Sequence, residues 1–155
     1  MKYLSNILFL TIAMAYTSLF SQVAFQDIEP DSALKLSQHT RQKLLIDIYT
    51  DWCVPCKELD KHIFSQPKVG KFVNENYISI KLNAEEPGGK LFCKTYEVPE
   101  AYPTVLLLDE KANEIDRIIG LIPEEKYIQI LRDYPKRSSI MVSNRCESLS
   151  TRRPY

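Results

Sequence analysis

Cys53-Val54-Pro55-Cys56 places two thiols three positions apart, directly after the apolar run 43–50 and ahead of a helix-like pattern. A helix start offers unpaired backbone N–H groups and the positive end of the helix dipole, both of which stabilise a thiolate. In such motifs the thiol pKa falls from about 8.5 to between roughly 3.5 and 7.5. The chemistry this suits is thiol–disulfide exchange. Cys53, at the helix mouth, is expected to be the exposed nucleophile, and Cys56, one turn further, the thiol that resolves a mixed disulfide. Pro55 falls in the first turn, where its missing N–H costs nothing.

Two other readings of the cysteines compete. A structural zinc site needs about four ligands, whereas Cys93 stands alone, Cys146 lies near the end of the chain, and His39 and His62 form no pair. No metal and no cofactor are therefore expected. An inert structural bridge is the second alternative, but so short a loop makes a poor staple.

Asp47 is the next informative residue, because it interrupts Leu44-Leu45-Ile46-Asp47-Ile48-Tyr49, a run apolar enough to be a strand covered on both faces. A buried lone carboxylate is costly unless paired or protonated. Six residues before Cys53, it could take or give the proton that Cys56 exchanges. Its blander alternative is a side chain that finds water at the sheet end. Tyr102-Pro103-Thr104 precedes the apolar run Val105 to Leu108, a position where proline is tolerated and a cis bond would be a deliberate feature.

The elements that must position these residues follow from periodicity. Strands are expected over 43–50, 77–83, 104–109 and 114–120, and helices over 55–76 and 86–96, the first broken at Ser65-Gln66-Pro67. A last helix opens at Pro123 with Glu124 and Glu125 in its first turn and buries Tyr127, Ile130, Leu131 and Tyr134. This order predicts an α/β domain with a central mixed β-sheet flanked by helices. With 155 residues there is room for one domain. Twenty basic residues balance twenty acidic ones, which excludes a globally basic nucleic-acid binder. At 45% hydrophobic and 26% charged, the composition excludes a wholly disordered chain.

Residues 1–21 read as a secretory signal peptide: one lysine, an apolar middle and small residues near Ser21–Gln22. The mature protein is thus expected in the periplasm or outside the cell, where disulfides persist, or anchored to a membrane if the segment is retained. Residues 22–134 form the domain. Residues 135–155, with five basic residues against Glu147, read as a flexible basic tail. Cys93 is expected to be a buried thiol, with a Cys93–Cys146 bridge as the alternative.

LLIDIYTDWCVPCK (44–57), IKLNAEEP (80–87), AYPTVLLLDEKANEI (101–115) and Gly120 together resemble the thioredoxin superfamily. The centre of the motif is Val-Pro, not the Gly-Pro of cytosolic thioredoxin, and Lys61 stands where that protein has a proline. WCVPCKELDKHIFSQPKVGKFV is more similar to the C-terminal thioredoxin-like domain of the interchange protein DsbD and its small secreted relatives. The resemblance implies that Cys53 attacks and Cys56 resolves, that Asp47 matches the family's buried aspartate and Lys81 the lysine near it. It implies that Trp52 packs beside the site, that Pro103 is the cis-proline, and that Tyr102, with Thr104 beyond, meets the substrate strand. A monomer acting on disulfide-containing proteins and fed by a membrane electron donor of the DsbD type is the expectation. Val54 and Pro55 supply no charge to stabilise a thiolate, which favours a disulfide reductant. An oxidase or isomerase with the same site, a non-catalytic binding module and a metallochaperone are the alternatives.

Overall fold

The computed structural model describes residues 22–133. Residues 1–21, expected to be a signal peptide, and residues 134–155, with Tyr134, Cys146 and the expected tail, lie outside the described residues. Ten elements alternate along the chain: β1 (Phe25–Gln26), α1 (Pro30–Thr40), β2 (Lys43–Tyr49), α2 (Val54–Leu59), a π turn (Asp60–Phe64), α3 (Pro67–Asn76), β3 (Tyr77–Asn83), α4 (Pro87–Thr95), β4 (Thr104–Leu108) and β5 (Glu114–Ile119). A further helix, α5, follows over 124–133.

The five strands form one sheet in the order β1-β3-β2-β4-β5. β1 and β2 run parallel to β3, while β4 is antiparallel to β2 and β5 is antiparallel to β4. This is the mixed sheet that the alternation of elements predicts. Because side chains alternate across a strand, each face has its own core. One face presents Leu45, Val105, Leu107 and Ile118 to Leu59, Ile63, Phe64, Val69 and Val73, and to Tyr127 and Leu131 of α5. The other presents Leu44, Ile46, Ile48, Ile78, Ile80, Leu106 and Leu108 to Ala33 of α1 and Phe92 of α4.

Two elements escape the sequence pattern. β1 is only two residues long. α1 buries Pro30, Ala33 and Ser37, small or polar residues that make no apolar stripe. The break at Ser65-Gln66-Pro67 is where expected: α3 starts with Pro67 in its first turn after Gln66 in extended conformation. The stretch before it is not plain α-helix, however, but α2 running into the wider π turn.

Strand directions converge on one edge. β2 ends at Tyr49, beside Cys53, and the antiparallel β4 begins there, Thr104 pairing with Ile48. β5 returns to the same edge, Ile119 pairing with Thr104. Gly120, in a left-handed conformation at φ 80°, then donates its N–H to the Pro103 carbonyl at 2.8 Å. The topology thus brings 49–56, 102–104 and 120 together.

Candidate functional site: a disulfide over a buried carboxylate

Cys53 and Cys56 are joined as a disulfide. Cys53 caps α2, its Sγ accepting the Cys56 N–H at 3.1 Å, so the helix start points a backbone donor at the sulfur. Cys53 is only 2% exposed and Cys56 4%, which corrects the expectation of an exposed nucleophile. With its Sγ bonded to Cys56 and turned inward, Cys53 sits below its neighbours Trp52 and Val54, which are 65% and 66% exposed. Trp52 leans edge-on to Tyr102, ring centroids 6.1 Å apart, and its indole N–H donates to Glu85 Oε1 at 3.0 Å. The Tyr102–Pro103 bond is cis. Thr104 is fully buried and donates its hydroxyl to the Ala101 carbonyl at 2.6 Å. The structure therefore gathers Trp52, Cys53, Cys56, Tyr102 and Pro103 at one edge, while Thr104 faces inward.

Behind the disulfide lies a group of charges set by strand register. Asp47 of β2 pairs with Lys81 of β3, so both side chains stand on the same face. Lys81 Nζ is 3.0 Å from Asp47 Oδ2. It also donates to Asp60 Oδ1 and Oδ2 at 2.6 and 2.7 Å, so one ammonium is shared between two carboxylates. Phe25 and Tyr49 flank the ammonium at 5.1 and 5.2 Å from their ring centroids.

Asp47 is wholly buried, and desolvation raises its pKa from 3.8 to about 6; Lys81 opposes the shift and the Asp60 charge adds to it. Lys81 keeps its proton more firmly than a free lysine: the two carboxylates outweigh its burial, the largest single influence, which acts the other way. A cleft of about 320 Å³ lined by Tyr49, Thr50, Asp51, Cys56, Lys57, Asp60 and Lys81 opens this region to solvent from the Cys56 side.

Asp60 is a site residue that sequence reasoning does not find. In KELDKH it reads as one more charge on a solvated helix face. The π turn that begins at Asp60 sets where the residue stands, opposite Lys81. Cys93 carries a free thiol and is half-buried, not buried, packing with Tyr96 and Tyr102 against the core; burial pushes its pKa up. Among the described residues, no group of three His, Cys, Asp or Glu is placed to hold a metal ion.

Comparison with known proteins agrees with this geometry. The model of a thioredoxin-like domain matches residues 30–135. The thiol:disulfide interchange protein DsbD of Haemophilus influenzae is 31% identical over 117 residues, covering 72% of this chain and 20% of the relative. The chain thus spans about one fifth of the length of the DsbD relatives it matches. In structure it is similar to a thioredoxin from Thermus thermophilus, with TM-score 0.64, 22% identity, and 73% of this chain and 86% of that one covered. The DsbD C-terminal domain of Neisseria meningitidis in its reduced form gives TM-score 0.57 and 22% identity, covering 67% of this chain and 92% of that one. The chain belongs to the thioredoxin-like family, and the two cysteines of its CxxC motif, Cys53 and Cys56, are joined as a disulfide.

Proposed function

We propose that the protein is a secreted or periplasmic disulfide reductant that exchanges disulfides with protein substrates through Cys53 and Cys56. The observation that carries this reading is the Cys53–Cys56 disulfide beside exposed Trp52 and Val54, with Cys56 on a cleft shared with Lys81, the partner of buried Asp47. Electrons enter when a donor dithiol opens the Cys53–Cys56 bond. The Cys53 thiolate then attacks a substrate disulfide, forms a mixed disulfide and releases one substrate thiolate, which takes a proton. The Cys56 thiol loses its proton and attacks Cys53 Sγ; the second substrate thiolate leaves and is protonated, and the Cys53–Cys56 bond is restored. The substrate gains two electrons and two protons. Asp47, raised to about 6, has a pKa suited to taking the Cys56 proton near neutral pH, with Lys81 and Asp60 tuning it.

The direction follows from charge. Strong oxidants stabilise their thiolate. Here the side chain buried behind the pair is a carboxylate, and the ammonium beside it is shared between two acids. A reductant in an oxidising compartment needs an electron source, and a membrane donor of the DsbD type fits the family relationship. The signal-like segment 1–21 supports export, and Trp52, Val54 and Tyr102, with the Pro103 backbone, would receive an extended substrate strand. A monomer suffices, since every participating residue comes from one chain.

Substituting each cysteine tests the reading with insulin as a protein disulfide. Cys53→Ser abolishes exchange, whereas Cys56→Ser forms a mixed disulfide that persists and is seen by intact mass. Undiminished turnover of Cys53→Ser would overturn the proposal and leave a binding module.

A further inference from the structure

Strand β1 is only two residues long, yet it is fastened at two points to the charged group behind the disulfide. The first point is set by register. Phe25 pairs with Ser79 of β3, and Asp47 of β2 pairs with Lys81 of β3. Side chains alternate across a strand, so Phe25, Lys81 and Asp47 stand on one face of three adjacent strands. The Lys81 ammonium lies over the Phe25 ring, 5.1 Å from its centroid, and over the Tyr49 ring at 5.2 Å. The second point is the π turn. Val23 donates its N–H to the Phe64 carbonyl at 2.8 Å, and Phe25 meets the Phe64 ring edge-on, centroids 5.1 Å apart. Phe64 ends the turn that Asp60 begins. Residues 23–25 therefore touch both the ammonium and the element that carries its second carboxylate.

We propose that Phe25 is a positioning residue of the redox site: its ring, with that of Tyr49, holds the Lys81 ammonium over buried Asp47 and keeps it from moving outward with Asp60. Lys81 needs such a hold, because its ammonium rides on a flexible four-carbon stem. Asp60, half-exposed, takes it with both oxygens at 2.6 and 2.7 Å, while Asp47 Oδ2 lies at 3.0 Å. A half-exposed ion pair fixes a lysine weakly. The negative faces of aromatic rings attract a cation, and more strongly where water is excluded. The remaining charged and titratable groups around the pair are Asp51, Cys56 and Lys57, which line the cleft, and Tyr127 of α5.

The test is a ¹³C-carboxyl NMR titration of Asp47 in the oxidised protein, where neither Cys53 nor Cys56 titrates. Phe25→Leu keeps apolar bulk on β1 and removes the ring face. With the ammonium loosened, the Asp47 midpoint is expected to rise by about half a pH unit, roughly a threefold change and the size of one aromatic contact to a cation. Phe25→Tyr restores the face and is expected to keep the wild-type midpoint. An unmoved midpoint in Phe25→Leu would overturn the proposal, as would an equal shift in both variants, which would mark packing alone. A second measurement needs no variant: shielding by two ring faces should place the Lys81 ε-methylene protons upfield of those of a free lysine. An ordinary value there would overturn the proposal, whether or not Phe25→Leu folds. The kinetic consequence, the same shift in the pH profile of exchange, rests on the proposed function. If exchange is absent altogether that function fails, while the carboxyl titration still decides the role of Phe25.

Discussion

Asp47 and Asp60 divide one ammonium between them, the first wholly buried and the second half-exposed. Asp47 has a folded pKa of about 6 against 3.8 for an ordinary aspartate, so the folded state holds its proton where the unfolded state has lost it. Below 3.8 both states are protonated and nothing is lost. Between 3.8 and 6 stability falls as pH rises, and above 6 the full penalty of roughly 2–3 kcal/mol remains. Asp47→Asn should therefore be more stable than wild type at pH 8 and about equal to it near pH 4, as urea unfolding at the two values would show. Equal differences at both would disprove the linkage. Asp60→Asn removes a like charge, so the Asp47 midpoint should fall, read by ¹³C-carboxyl NMR titration of Asp47 in the oxidised protein. At this scale the sequence is legible where residue type and neighbours suffice: paired cysteines ahead of a helix, and an acid inside an apolar strand. Lys81 is reachable only through family resemblance. Asp60 is hidden, because its significance depends on a helical irregularity.

Among the elements, register does most to build the site. Asp47 faces Lys81 because β2 and β3 pair in parallel with those two residues opposite, and a slip of one residue would put them on different faces. β2 to β5, α4 and α5 are legible because apolar runs and helical spacing mark them. α1 and β1 are not, since α1 packs through Ala33 and Ser37 and β1 spans two residues. Backbone contact and Asn74 together hold the start of the described chain: Val23 N–H donates to the Phe64 carbonyl at 2.8 Å, Asn74 accepts the Ala24 N–H at 2.9 Å and donates to the Gln22 carbonyl at 3.0 Å, and Gly70 of α3 lies against Gln22. A Cβ on Gly70 would sit 2.5 Å from the Gln22 carbonyl carbon. Gly70→Ala should cost about 1–3 kcal/mol by thermal or chemical unfolding, since backbone must shift to admit the methyl. A gain in stability, as expected for alanine at an open helix position, would show that the contact is loose.

For the molecule as a whole, the sheet acts as a frame whose one edge gathers three separate segments around a disulfide. β2 delivers Cys53 and Cys56, the reversed β4 delivers Pro103, and β5 delivers Gly120. Trp52 and Val54 form the apolar rim, with Glu85 holding the indole. Docking should rest on the apolar rim and on backbone pairing near the cis Tyr102–Pro103 bond. Trp52→Ala should weaken the apparent affinity for a protein disulfide while leaving exchange with small dithiols nearly unchanged, a difference steady-state kinetics with insulin and dithiothreitol would expose. Equal losses on both would place Trp52 in the chemistry instead of the docking. The most direct test of the central claim is the reduction potential of the Cys53–Cys56 pair, by equilibrium with glutathione or dithiothreitol. A reductant should lie at or below about −230 mV, towards thioredoxin's −270 mV. A value above about −180 mV would contradict it and make the protein an oxidant or isomerase.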